Sequence, residues 1–232
     1  MGVRDTSPEQ ESIAKSVFKH FSLNGKQLYA FRLVTWQVME NRLTPLRMYI
    51  SNCRGTRKTC IILALTEFFK FVSQPQWFCI CFYMGVAARN VSRLTLHSAL
   101  NLSKRRGPRM TTKVTHNLIA KWDSIDFLLI DEASVIRQKM MVSIYEVLCI
   151  VKGSDFLFKG MNIIFARDFA QSPPMAQSVL YRCSVERKIS DLRVQSEIFG
   201  RLLWLLVDVI MLLIESMRQA RKENKRFVEL LN

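Results

Sequence analysis

The run Ser51-Asn52-Cys53-Arg54-Gly55-Thr56-Arg57-Lys58-Thr59 lies between a short apolar stretch, Leu46 to Ile50, and a longer one with helical spacing, Lys58 to Val72. A lysine and a hydroxyl residue in the first turn of a helix suit a polyphosphate. The ammonium neutralises phosphate oxygens, the hydroxyl can ligate a divalent cation, and the first amides of the helix point at the anion. A phosphate-binding loop in this place reads G-x-x-x-x-G-K-[ST]. Lys58 and Thr59 fit it, and Gly55 and Thr56 match the common G-T-G-K-T form. Asn52 and Arg57 occupy the two glycine positions. Read alone, a Lys-Thr pair opens many helices that bind no nucleotide.

About 70 residues further on, Phe127 to Ser134 reads FLLIDEAS, an apolar strand ending in two adjacent carboxylates. Such a strand delivers Asp131 to the sheet rim, where it can hold Mg²⁺, while Glu132 can polarise a water. A strand that merely ends in a polar turn would look the same. The two segments in this order favour a nucleotide site.

These groups need a scaffold. Leu46 to Ile50, Trp77 to Tyr83, Phe127 to Ile130, Asn162 to Phe165 and Val209 to Ile214 read as strands, with Trp77 to Tyr83 buried on both faces. Ser7-Pro8 starts a helix, and Leu28 to Met39, Lys58 to Val72 and Lys139 to Val151 have helical patterns. Alternating strands and helices predict an α/β fold, a mostly parallel sheet with helices on both faces. Ligands of such sheets bind beyond the carboxyl ends of the strands. The polar residues after Ile50, Ile130 and Phe165 therefore converge on one rim. Leu202 to Ile214, the longest apolar stretch, is broken by Asp208 and too short to span a bilayer. It reads as a buried helix end followed by a buried strand.

Composition narrows the partners. The chain has 232 residues, with 34 Lys plus Arg against 19 Asp plus Glu, a net charge of +15. Nucleic acid is the first polyanion this suggests, and a membrane surface the second. No carboxylate occurs between Glu67 and Asp123, an interval holding Arg89, Arg93, Lys104, Arg105, Arg106 and Arg109. That predicts a phosphate-backbone contact surface; the alternative is a solvated basic loop. The first residues, with Arg4, Asp5, Glu9 and Glu11, do not read as a secretory leader, so the six cysteines are expected to be free thiols. Cys79 and Cys81 share one face of a strand and suit core packing better than a zinc site.

A third segment makes the reading specific. IIFARDFAQSPP, Ile163 to Pro174, resembles the G-D-F-x-Q-L-P-P motif of superfamily-one DNA helicases. It is most similar to the petite-integration-frequency (Pif) family and the related helicases of Helitron transposons. LNGKQLYAF (Leu23 to Phe31), MGVAARNVSRLTLHSAL (Met84 to Leu100) and LLIESMRQ (Leu212 to Gln219) resemble three further motifs of that family. The resemblance runs from Leu23 to the C-terminus, leaving residues 1–22 as an N-terminal polar segment.

The resemblance implies a RecA-like P-loop domain that couples ATP hydrolysis to movement on single-stranded DNA. Gln27 would read the adenine edge, and Gly55, Thr56 and Arg57 would line the phosphate loop. Lys58 would neutralise the β- and γ-phosphates, and Thr59 and Asp131 would hold Mg²⁺. Glu132 would activate the attacking water, Gln171 would sense the γ-phosphate, and Arg218 would contact it across the cleft. Arg89, Arg93, Thr95, His97, Lys104, Arg105 and Arg106 would lie along the DNA track. The family further implies a monomer acting in the nucleus, in genome maintenance or transposition.

The departures cluster at glycines. Asn52, Arg57 and Arg167 stand where the family has Gly, and Ser172 replaces the Leu of L-P-P. Glycines in such a loop permit positive φ and let amides approach the anion. A non-Gly residue in the left-handed region loses about 1–2 kcal/mol. Weak ATP binding and little hydrolysis are therefore expected. The family has two motor domains, and this sequence matches only the first, so no duplex unwinding is expected of it alone. The competing expectation is a catalytically dead, basic remnant of a transposon helicase that still binds single-stranded DNA.

Overall fold

The computed structural model describes residues 8–40, 42, 44–52, 56–72, 74–82, 94–102, 112–152, 157–167, 180 and 191–214. Among these residues six strands form one sheet: β1 (Arg47–Asn52), β2 (Phe78–Phe82), β3 (Leu94–Thr95), β4 (Phe127–Asp131), β5 (Asn162–Ala166) and β6 (Val209–Leu213). Their order is β3-β2-β4-β5-β1-β6, and β2 pairs in parallel with β3 and β4, as β4 does with β5. Among the described residues the α-helices are α1 (Pro8–His20), α2 (Gly25–Met39), α3 (Lys58–Phe71), α4 (Leu96–Ala99), α5 (Thr112–Trp122), α6 (Gln138–Val151) and α7 (Leu192–Leu205). This is the parallel α/β architecture expected from the alternation of elements.

The chain forms two compact units. One comprises Met1–Leu43, Ile50–Pro75 and Met211–Asn232. Its helices pack by apolar stripes: Ala14 and Val17 of α1, Ala30, Phe31 and Val34 of α2, and Ile61, Leu65 and Phe68 of α3 are buried. The Phe31 and Phe68 rings meet edge to face at 6.0 Å. The stretch before Leu23, polar in composition, thus contains a packed helix.

The other unit comprises Thr44–Tyr49 and Gln76–Ile210. Every residue of β4 and β5 is buried, which is why Phe127 to Ile130 and Ile163 to Phe165 read as unbroken apolar runs. Their core continues into α5, α6 and α7 through Leu118, Trp122, Met141, Ile144, Leu148 and Leu203. Cys79 and Cys81 lie in this core with their sulfurs 3.7 Å apart. The Cys79 thiol and burial push Cys81 far above the ordinary thiol range, so it stays protonated. Asn162 ties three segments at the start of the sheet: its Oδ1 accepts from the Leu46 amide at 2.8 Å, and its Nδ2 donates to the Asp126 carbonyl at 3.1 Å. α6 and α7 touch at backbone distance, because Gly200 leaves room for the Gln138 carbonyl. A Cβ at 200 would sit 2.0 Å from that oxygen.

The end of the chain's apolar stretch departs from expectation. β6 is an edge strand, and Ile210 and Leu212 are more than half exposed while Met211 and Leu213 are buried. Leu202 and Leu205 of α7 are also more than half exposed, and only Leu203 between them is buried. Alternation along an edge strand and the helical period each turn part of this apolar run outward.

Candidate functional site

The phosphate-loop segment enters α3 as follows. Arg57 is the N-cap of α3 and lies in the left-handed region at φ 52°, ψ 43°. The backbone therefore adopts the conformation that a glycine favours here, with an arginine in it. The Arg57 side chain is exposed and makes no capping hydrogen bond. Lys58 and Thr59 follow as the first two residues of α3, half-buried and exposed respectively, and the first turn carries no acid. A helix start of this kind presents amides and a lysine to an anion.

Thr56 is buried, and Gln27 holds it in place. Gln27 Nε2 donates to the Thr56 carbonyl at 2.7 Å. Gln27 Oε1 accepts from the Asn24 amide at 3.0 Å, while Asn24 Oδ1 accepts from the Gln27 amide at 2.9 Å. This reciprocal capping box starts α2 and fixes the glutamine side chain. The brace was not anticipated from sequence. Its signal was present as Asn24 three residues before Gln27, the spacing of such a box.

In the other unit, β4 carries Asp131 to its end, where the carboxylate is 7% exposed and Oδ1 accepts from the Glu132 amide at 2.9 Å. Glu132 turns the chain at φ 64°, again left-handed. Its Oε2 forms an ion pair with Arg167 Nη1. No spacing along the chain signals this pair, because it depends on how β4 and β5 align. Asp131 is opposite Ala166, so the residues that follow are side by side. Tyr49, another residue not anticipated, donates its hydroxyl to the Arg167 carbonyl.

Thr95 caps α4, with Oγ1 accepting from the Ser98 amide at 3.2 Å, and the half-buried His97 sits within that short helix. Gly55, Arg89, Arg93, Lys104, Arg105, Arg106, Gln171 and Arg218 lie outside the described residues. A groove of about 710 Å³ between α1 and α2, lined by Phe18, Tyr29, Arg32 and Trp36 among others, contains none of the anticipated site residues. Among the described residues, no group of three or more His, Cys, Asp or Glu could hold a metal, and no helix is long and apolar enough to cross a membrane. The structure thus joins Gln27 to the loop at Thr56 in one unit, and Glu132 to Arg167 in the other.

A family model described as PIF1-like helicase matches residues 22–232. Among curated proteins, the ATP-dependent DNA helicase PIF1 of Candida albicans is 23% identical over 177 residues, covering 75% of this chain and 18% of that protein. The ATP-dependent DNA helicase PIF1 of Emericella nidulans is 24% identical over 136 residues, 56% of this chain and 18% of that protein. The chain therefore matches less than a fifth of the length of either relative. A crystal structure of Pif1 helicase from Bacteroides in complex with ADP-AlF3 and ssDNA has a TM-score of 0.61 at 21% identity, covering 90% of this chain and 45% of that one.

Proposed function

The chain belongs to the PIF1-like helicase family, and on that premise we propose that residues 23–232 form a motor domain that binds ATP and single-stranded DNA. The observation that carries the reading is the junction before α3. Arg57 holds the left-handed turn of a phosphate loop, Gln27 braces Thr56, and Lys58 and Thr59 open the helix.

In this reading Lys58 neutralises the β- and γ-phosphates, and Gly55, Thr56 and Arg57 line the loop. Thr59 and Asp131 are hard oxygen donors of the kind Mg²⁺ takes beside phosphate and water, and they would hold it. When bound, that ion spreads the charge developing on the phosphate oxygens. Glu132 accepts the proton of the attacking water. The water oxygen bonds to the γ-phosphorus, the bond to the β–γ bridging oxygen breaks, and ADP leaves with that oxygen. Gln171 and Arg218 respond to the γ-phosphate, and the Gln27 amide contacts the adenine edge with its remaining hydrogen. Arg89, Arg93, Thr95, His97, Lys104, Arg105 and Arg106 follow the DNA backbone. The relative solved with nucleotide and ssDNA supports this pairing of ligands. The domain works as a monomer in the nucleus.

The test combines ATP hydrolysis, with and without single-stranded DNA, and DNA affinity across a salt series. The reading predicts DNA binding that weakens with salt, by about 0.7 in logarithmic slope per phosphate contact, together with DNA-stimulated hydrolysis. Salt-dependent DNA binding without any ATP hydrolysis would favour the catalytically dead remnant. Absence of both would refute the proposal.

A further inference from the structure

Arg167 is the first residue after β5, and Glu132 the first after β4. The parallel register that sets Asp131 opposite Ala166 brings their side chains together as an ion pair. The arginine side chain is 16% exposed and the glutamate 39%. The arginine is also anchored through its backbone. Tyr49 donates its hydroxyl to the Arg167 carbonyl, and the Tyr49 and Phe165 rings pack edge-on against Trp204, with centroids at 5.5 and 5.3 Å. Glu132 is constrained from its own side by its left-handed backbone. Both backbones are thus fixed at the point from which the two side chains reach each other.

From this geometry we infer that Arg167 is a positioning residue that holds the Glu132 carboxylate against the end of β5 and restrains it from activating water. The inference rests on the reading of Glu132 as the water-activating group. A carboxylate in that role must turn an oxygen toward a water beside the γ-phosphate. Here Oε2 is engaged by a guanidinium, a charge-assisted contact stronger than a neutral hydrogen bond. A glycine at 167 would have no side chain to make it. The domain that results binds nucleotide and turns it over slowly, with the limit set at Glu132 and not only at the phosphate loop. Tyr49 and Trp204 belong to the same restraint, because they fix the backbone from which the arginine reaches.

The test uses the whole chain and the variants Arg167→Gln, Arg167→Lys and Arg167→Gln/Glu132→Gln. Carbodiimide coupling of an amine to Glu132, mapped by mass spectrometry, reads the ion pair without nucleotide. Mg-ATP binding and single-turnover hydrolysis read the consequence. Coupling at Glu132 should rise severalfold in Arg167→Gln and stay at the parent value in Arg167→Lys, which keeps a cation and checks that folding is intact. Hydrolysis should rise about tenfold or more in Arg167→Gln, part of the about 10²–10⁴ that a positioned base supplies. ATP affinity should change less than about threefold, and the added Glu132→Gln should abolish the gain. Equal coupling in parent and Arg167→Gln would overturn the restraint. Raised coupling with unchanged hydrolysis of bound ATP would overturn its catalytic consequence. Raised coupling in a set of proteins that bind no ATP would support the ion pair and refute the nucleotide reading beneath it.

Discussion

Replacing Arg57 separates the backbone of the phosphate loop from its side chain. At φ 52°, ψ 43° the Cβ of Arg57 crowds its own carbonyl, which costs about 1–2 kcal/mol relative to a right-handed conformation. Arg57→Ala keeps that Cβ and removes the charge and the exposed stem. Arg57→Gly removes the Cβ as well. Glycine gives back about 0.4–1 kcal/mol through the greater freedom of the unfolded chain. The glycine variant should therefore be more stable than the alanine variant by about 0.5–1 kcal/mol, or about 2–4 °C per kcal/mol in a chain of this size. This is the reverse of the usual order in a helix, where glycine is worse than alanine by about 1 kcal/mol. Urea unfolding of both variants at one pH and ionic strength measures the difference. Alanine as stable as glycine, or more so, would refute the claim that position 57 carries strain. Mg-ATP should also bind the glycine variant more tightly than the parent, and equal affinity would refute a steric role for the arginine.

Other perturbations follow from contacts already described. Gly200→Ala puts a methyl group 2.0 Å from the Gln138 carbonyl oxygen; it should force α6 and α7 apart and cost at least about 1–3 kcal/mol, read by thermal unfolding. Asn162→Ala orphans the Leu46 amide and removes one of the two donors to the Asp126 carbonyl, which keeps the backbone amide of residue 162; chemical denaturation should show a loss of about 1–3 kcal/mol. Gln27→Ala removes the brace on Thr56 and half of the capping box; amide exchange should quicken at residues 56–60, with a stability loss of about 1–3 kcal/mol. Unchanged exchange there would show that the loop holds its shape without the glutamine.

The sequence made the central strands legible because their burial is complete. Phe127 to Ile130 and Ile163 to Phe165 admit no polar residue on either face, and the structure buries both runs. Where burial is one-sided the pattern misled. Ile210 and Leu212 are as apolar as their buried neighbours, yet face outward on the edge strand β6. The strain at Arg57 was readable, since a motif that requires glycine states a backbone conformation as well as a residue. The pairing of Glu132 with Arg167 was not readable. It arises from the register of two strands separated by about 30 residues, and register is a property of the folded sheet. The Gln27 brace stood between these cases: the capping spacing was visible, but the bond to Thr56 needed the loop to fold back over α2.

The proposed function has Lys58, which opens α3, and Asp131, which closes β4, serving one triphosphate. Equilibrium titration of the whole chain with Mg-ATP, beside Lys58→Ala and Asp131→Asn, tests it most directly. Binding should be saturable and Mg²⁺-dependent, and both substitutions should weaken it at least about tenfold, a loss of about 1.4 kcal/mol or more. Binding that neither substitution changes, or that Mg²⁺ does not affect, would contradict it.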